Sequence, residues 1–281
     1  MWLPTVLILL SATLHVSWNL LLKRGGDKLV TAWTLDVAPP LLLWPLLFIT
    51  GLPGPDAWPI IVVSGVVHAA ATMALAEAYE RADLSVAYPV ARGLAPVLVA
   101  VGAGVVLREQ LSPAAIVGVL AVSIGVAWLG LSARRVGDGL SGLGWAVAMA
   151  ALIATYSIVD KIGVTRAHPL AYAIVFMACE SVFLTPYVVL RRGSPRIRDV
   201  FQREWRPIIA SSTLGLIGYL LILVALRLTE VSYVATLREI SVVLAAVVGW
   251  RVLKEPVGAE RVAAAALAAA GLITLSLAHG R

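Results

Sequence analysis

Apolar residues gather in ten runs, near 3–22, 31–50, 58–80, 84–106, 113–131, 141–161, 169–190, 206–226, 233–253 and 258–279, parted by charges and Gly/Pro clusters. One helical crossing of a bilayer takes about 20 apolar residues, so each run is long enough to span. The apolar residues are continuous rather than alternating. A segment in hydrocarbon must also satisfy its own backbone hydrogen bonds, so the runs predict helices and not strands. The predicted fold is an all-α membrane protein with ten transmembrane helices.

Composition agrees. Of 281 residues, 60% are hydrophobic and only 14% charged, and mean hydropathy is +0.92. Ten spans leave no room for a soluble domain. The first run carries its positive charges, Lys23 and Arg24, behind it and lacks a small-residue cleavage site, so a retained helix is expected rather than a signal peptide. Trp2, Trp33, Trp58, Trp128, Trp145, Trp205 and Trp250 fall near run ends, where amphipathic rings sit at headgroup level; Trp18 and Trp44 lie deeper.

The net charge of +6 would suggest nucleic acid in a soluble protein, but here the basic residues lie between the runs and set orientation instead. Fifteen of the 22 Lys and Arg residues follow odd-numbered spans, six of them between Arg191 and Arg206. Cytoplasmic loops carry the positive excess, so the 191–206 loop is expected in the cytoplasm and both termini outside. Arg92 and Arg238 fall within spans.

Sliding the chain by 146 residues aligns 81–129 with 227–275 without a gap. Arg81 meets Arg227, Arg92 meets Arg238, Arg108-Glu109 meets Lys254-Glu255, and Gly125 meets Gly271. At another offset, Trp18-Asn19 with Lys23 match Tyr156-Ser157 with Lys161. The expected organisation is a first repeat at 1–131, a linker at 132–140 and a second repeat at 141–281. Five spans per repeat force the second copy upside down. This is the inverted plan of secondary transporters, with a central cavity between halves and alternating access to it.

Leu14-His15-Val16-Ser17-Trp18-Asn19, the passage Glu77-Ala78-Tyr79-Glu80-Arg81-Ala82 running on to Tyr88-Pro89, and the Leu-Arg-Glu and Leu-Lys-Glu turns carry a further likeness. On them the chain resembles EamA-type members of the drug/metabolite transporter superfamily over nearly its whole length, the bacterial aromatic-amino-acid exporters being the nearest branch. The resemblance implies an inner-membrane metabolite exporter whose cavity is lined mainly by the first, third, fourth, sixth, eighth and ninth spans. On those spans it points to His68, Tyr79, Tyr88, Tyr156, Tyr219 and Tyr233, rings suited to a flat, partly apolar substrate.

Other candidates come from the residues themselves. Arg92 and Arg238 lie about a third of the way into their spans, a depth at which charge usually faces a cavity. They read as carboxylate or gate ligands, or as ties to backbone carbonyls or to a neighbouring acid such as Glu239. His15, Trp18 and Asn19 share one helix face, a cavity wall or interhelical glue. Pro89, one turn before Arg92, is the hinge candidate. Asp160 and Glu239 are gate or coupling candidates, although Asp160, like Glu77, sits near a predicted helix end, where a solvated or Lys/Arg-paired carboxylate is favoured. Asp36 and Glu180 lie deeper, on spans peripheral in the family.

Several chemistries lack support. Gly137-x-Gly139-x-x-Gly142 has no preceding strand and reads as linker rather than dinucleotide loop. His15, His68, His168 and His279 lack metal-ligand spacing, Cys179 has no partner cysteine, and neither a Walker loop nor a nucleophile motif is present. The expectation is a non-enzymatic carrier without cofactor or metal, monomeric, whose partners are a small-molecule substrate and the bilayer. Organic-cation efflux on the same fold and a membrane lipid-modifying enzyme are the alternatives.

Overall fold

A computed structural model describes the backbone of residues 2–23, 27–81, 84–132, 143–251 and 258–279. Within these, the side chains of 18–23, 28, 78–81, 84–89, 143, 245 and 248–251 lie outside the described set. The expected linker at 132–140 therefore falls almost wholly outside the described residues.

Every regular element among the described residues is a helix: α1 (Trp2–Lys23), α2 (Lys28–Leu43), a 3-10 turn at Trp44–Leu46, α3 (Leu47–Thr50), α4 (Trp58–Arg81), α5 (Leu84–Val106) and α6 (Pro113–Leu131). Then come α7 (Leu143–Arg166), α8 (Pro169–Leu228), α9 (Val231–Leu237), α10 (Ile240–Arg251) and α11 (Ala259–His279). Six stretches are long and apolar enough to cross a membrane as they stand, and Trp2–Ser17 and Val90–Val106 are shorter apolar helices.

Sixty residues of α8 make two crossings. Its backbone leaves helical geometry at Gly193 and Glu204. Tyr172 and Tyr219 would stand about 70 Å apart on a straight helix, yet both donate to Asp160. Thr185 likewise accepts from Trp33 while Ser212 donates to the Thr34 carbonyl, so both limbs run beside α2. With α2 and α3 forming one span and α9 and α10 another, ten crossings result.

Their order places both chain ends on one face, called here the terminal face, and the basic 191–206 turn on the other. The breaks follow the prolines only in part: the second span turns to 3-10 geometry at Trp44-Pro45-Leu46. The helix α5 continues through Pro89 and Pro96, and α8 through Pro186, while the ninth span breaks at Arg238-Glu239.

The fifth and tenth spans test the inverted repeat directly. A Cβ at Gly118 would meet Leu275 and Gly271, one at Gly125 would meet Ala268 and Ala264, and one at Gly271 would meet Val122 and Gly118. Numbers rise along α6 as they fall along α11, so the helices are antiparallel. Shifting by 146 residues turns the contact of Gly125 with Ala264 and Ala268 into that of Gly271 with Gly118 and Val122. Such self-complementary exchange is what a two-fold axis between copies produces. Small residues let these backbones approach closely, the usual basis of helix association in lipid.

Elsewhere the halves interlock. Ser11 on α1 donates to the Gly218 carbonyl on α8, and α4 crosses α8 where Gly65 meets the Cys179-Glu180 backbone. The outer surface exposes large apolar side chains such as Leu41, Phe48, Val105, Leu190 and Ile273, which suits contact with lipid. On the basic face, Arg192 reaches Asp27 at 3.1 Å and Arg191 pairs with Glu77, so Glu77 is the Arg-paired carboxylate that its position suggests.

Candidate functional site

Asp160 is the centre of the buried polar tract. The helix carrying it continues to Arg166, six residues beyond the acid, and Asp160 has no exposed surface. The solvated or Lys/Arg-paired reading is thereby corrected: its partners are neutral hydroxyls and an imidazole. Ser64 Oγ donates to Oδ1 at 2.6 Å, Tyr172 OH to Oδ1 at 2.7 Å, and His68 Nε2 lies 3.0 Å from Oδ2. Tyr219 OH donates to Oδ2 and lies 3.2 Å from His68 Nε2.

Local sequence explains the convergence. Ser64 and His68 are one helical turn apart on α4, as are Tyr156 and Asp160 on α7, so each pair shares a face. Gly163 leaves the space that the Tyr172 ring fills, since a Cβ there would lie 2.1 Å from it.

Aromatic rings surround the acid. His68 stacks on Tyr156 at 4.1 Å between centroids, lies 4.9 Å from Phe176, and meets Tyr219 edge-on at 5.6 Å. The Arg238 guanidinium sits 5.8 Å from the Tyr219 ring centroid. Ser157, Tyr219, Leu226, Val231 and Arg238 border a void too narrow for a water molecule. Among the described residues, this part of the tract has no room for a substrate until its walls part.

The two deep arginines differ in role. Arg92 is buried, its Nε 3.1 Å from Glu239 Oε2, and its Nη2 donates to Ser241 Oγ at 3.4 Å. This ion pair joins the first half to the break between α9 and α10 in the second. Arg238, at the same break, faces the void. His15 is partly buried and within electrostatic reach of both arginines.

The terminal face carries a second arrangement. Glu109 accepts from the backbone N–H groups of Val231 and Ser232 at 2.7 and 3.2 Å and from Ser232 Oγ at 2.6 Å, capping α9 of the opposite half. Lys161 Nζ donates to the Leu226 and Thr229 carbonyls at the end of α8. His279 stacks on Tyr233 and its Nε2 lies 2.7 Å from Thr229 Oγ1, while Tyr233 OH lies 2.9 Å from Thr5 Oγ1. Glu109, Lys161, Thr229 and His279 border an open cleft of about 730 Å³.

A family model described as "EamA-like transporter family" matches residues 2–131 and again 140–277. The chain belongs to the EamA-like transporter family. This EamA-like protein is therefore a multi-pass membrane transporter of the drug/metabolite transporter superfamily. One solved structure, titled only "Crystal structure of protein", superposes with a TM-score of 0.75 at 20% identity, over 98% of this chain and 96% of that one. At that identity it shows the shared fold alone. No curated protein matches the chain.

Of the candidate residues, the EamA-like chain brings His68, Tyr156, Asp160, Tyr219 and Arg238 into one tract. Arg92 and Glu239 form the adjoining ion pair, and His15 is near both arginines. Tyr233 lies with the terminal-face contacts rather than with that tract. The side chains of Trp18, Asn19, Tyr79, Tyr88 and Pro89 lie outside the described residues. Ser64, Tyr172 and Phe176 escaped the sequence reading, in which Glu109 served only as a mark of the repeat; the spacing of Ser64 and His68 by one helical turn was the available signal. Among the described residues no group of acids, histidines and cysteines is placed to hold a metal ion.

Proposed function

We propose that this transporter is a secondary carrier that exports small amphipathic metabolites, amino acids with aromatic ones among them, by alternating access. The observation that carries the reading is the meeting, between the two halves, of His68, Tyr156, Phe176 and Tyr219 with the Arg238 guanidinium. Flat rings with a few fixed polar groups suit an aromatic side chain, and a guanidinium suits its carboxylate. Both halves of the site come from one chain, so a monomer suffices. Positive-inside bias puts the 191–206 turn in the cytoplasm and the termini outside, in a bacterial inner membrane.

Counterflow in proteoliposomes tests the proposal: vesicles loaded with unlabelled phenylalanine take up labelled phenylalanine only if the protein exchanges it. Arg238→Gln is expected to weaken that exchange. Asp160, a deep carboxylate among aromatic rings, favours a second reading, the efflux of organic cations. Labelled tetraphenylphosphonium in the same assay decides between them, and its exchange without exchange of any amino acid overturns the first.

A further inference from the structure

The terminal-face cleft lies over the junction of α8 and α9, and that junction is pinned from two directions. Lys161 ties the Leu226 and Thr229 carbonyls, and Glu109 ties the Val231 and Ser232 N–H groups. Both Glu109 oxygens are thereby engaged. Between the ties stand Arg227 and Glu230, which line the cleft and are spent on neither. Arg227 is exposed, and its guanidinium makes no hydrogen bond or ion pair among the described residues. Glu230 Oε2 lies 3.7 Å from His279 Nδ1, beyond hydrogen-bond distance. Only three residues separate Arg227 from Glu230, yet the two do not pair with each other.

Lys161 adds a third group. Its ammonium carries three hydrogens, and the two carbonyls take two of them. The pinned junction thus holds a free guanidinium, a free carboxylate and a spare ammonium hydrogen around one cleft. A ligand meets them already in place, without the cost of ordering them. The charges in the lining balance, Lys161 and Arg227 against Glu109 and Glu230. A bare anion attracted by Arg227 is repelled by Glu230, and a bare cation suffers the reverse. A small molecule that carries both signs gains from each. The apolar part of the lining is Leu3, Pro4, Leu107 and Leu228, and the volume of about 730 Å³ falls within the usual range for small-molecule sites.

We propose that this cleft is a second binding site, apart from the central tract, for a zwitterionic α-amino acid with an apolar side chain. Arg227 and the spare Lys161 hydrogen take its carboxylate, Glu230 takes its ammonium, and its side chain lies against Leu3, Pro4 and Leu107. The choice of amino acids among zwitterions rests on the transporter reading. The wall is largely aliphatic, so leucine serves as well as phenylalanine. The charged groups belong to the second half of the chain, whereas Leu3, Pro4 and Leu107 belong to the first. The site is therefore complete only while the halves meet at the terminal face, and its ligand favours that arrangement.

A local reporter tests the site without transport. Leu3 is exposed at the edge of the cleft. With Cys179 replaced by serine, Leu3→Cys supplies one thiol, whose reaction with a maleimide is followed in the purified full-length protein. Leucine and phenylalanine are expected to slow that reaction. 4-Methylpentanoate, which lacks the ammonium, and leucinamide, which lacks the carboxylate, are expected to do so only at far higher concentration. Arg227→Gln and Glu230→Gln in the same background should each raise the half-protecting leucine concentration about tenfold or more, as loss of a charged hydrogen bond does. Direct binding of labelled leucine to protein that keeps Leu3 is expected to weaken in step.

Protection by either single-charge analogue equal to that by leucine overturns the zwitterion site. Protection that survives both substitutions places the ligand elsewhere and also overturns it. So does a lack of protection by any amino acid; if phosphatidylethanolamine then protects, the cleft takes a lipid headgroup instead. Protection without counterflow speaks against the transporter reading alone, and counterflow without protection against the cleft alone.

Discussion

A methyl group added to Gly125 would lie 2.6 Å from the Ala268 amide nitrogen and 2.8 Å from the Ala264 carbonyl oxygen. Ordinary contact begins near 3.4 Å, so α6 and α11 must part by about 0.8 Å, because backbone atoms cannot swing aside as a side chain can. Overpacking of this kind costs about 1–3 kcal/mol, offset in part by the roughly 0.5–1 kcal/mol that alanine gains over glycine within a helix. Gly125→Ala is therefore expected to lose about 1–2 kcal/mol. Gly271→Ala should lose nearly the same, since its Cβ would meet Val122 and Gly118 at 2.7 and 2.8 Å across the same two-fold axis. Both methyl groups demand one separation of the same helices, so the double variant should cost less than the two single costs together. Gly144→Ala, with nothing within 4 Å, serves as the control. Unfolding in mixed micelles with increasing dodecyl sulfate, followed by circular dichroism, gives the stabilities of the two single variants, the double variant and the control. A large loss at one glycine with none at the other, or full additivity, would refute the reciprocal contact.

Three further outcomes follow from named contacts. Removing one member of the buried Arg92–Glu239 pair strands the other charge, so Arg92→Met or Glu239→Leu should cost about 3–5 kcal/mol and the double variant less than either, in the same unfolding assay. Glu109→Ala removes the cap of α9, with an expected loss of about 1–2 kcal/mol and faster hydrogen exchange at the Val231 and Ser232 amides; unchanged exchange there speaks against the cap. Gly163→Ala forces the Tyr172 ring away from Asp160, and counterflow should fall further than unfolding stability does, whereas intact counterflow would show that the Tyr172 contact is dispensable.

The spans and their inversion were legible because both are written in local pattern: runs of sufficient length, and polar or glycine positions recurring after 146 residues. Gly125 and Gly271 stood out by that recurrence, and each makes the close backbone contact of its own helix with the other, Gly125 on Ala264 and Ala268 and Gly271 on Gly118 and Val122. The partner of Arg92 was also within reach, since Glu239 adjoins the repeat mate of that arginine.

Asp160 was harder. Apolarity ended its run at 161, but the helix continues to Arg166, and the polar Lys161 and Thr165 within it find carbonyl partners. Its donors also come from segments 12 to 96 residues away, and no periodicity within one helix reveals such a meeting. The break at Arg238-Glu239 carries neither proline nor glycine, the usual signs, so a hinge at Pro89 was the natural expectation. Tyr233 was assigned by its span alone, and depth along that span placed it among the terminal-face contacts instead.

Alternating access to the buried tract is the central claim, and a single cysteine at Ser157 tests it most directly. Ser157 borders the void beside Arg238 and is buried. With Cys179 replaced by serine, Ser157→Cys in sealed proteoliposomes would be challenged by an impermeant maleimide from either face, with and without exchanging substrate. The account predicts slow labelling that substrate cycling accelerates, from each face in turn, with transport blocked once the cysteine is modified. Labelling from neither face during active exchange, or full transport after complete modification, would contradict it.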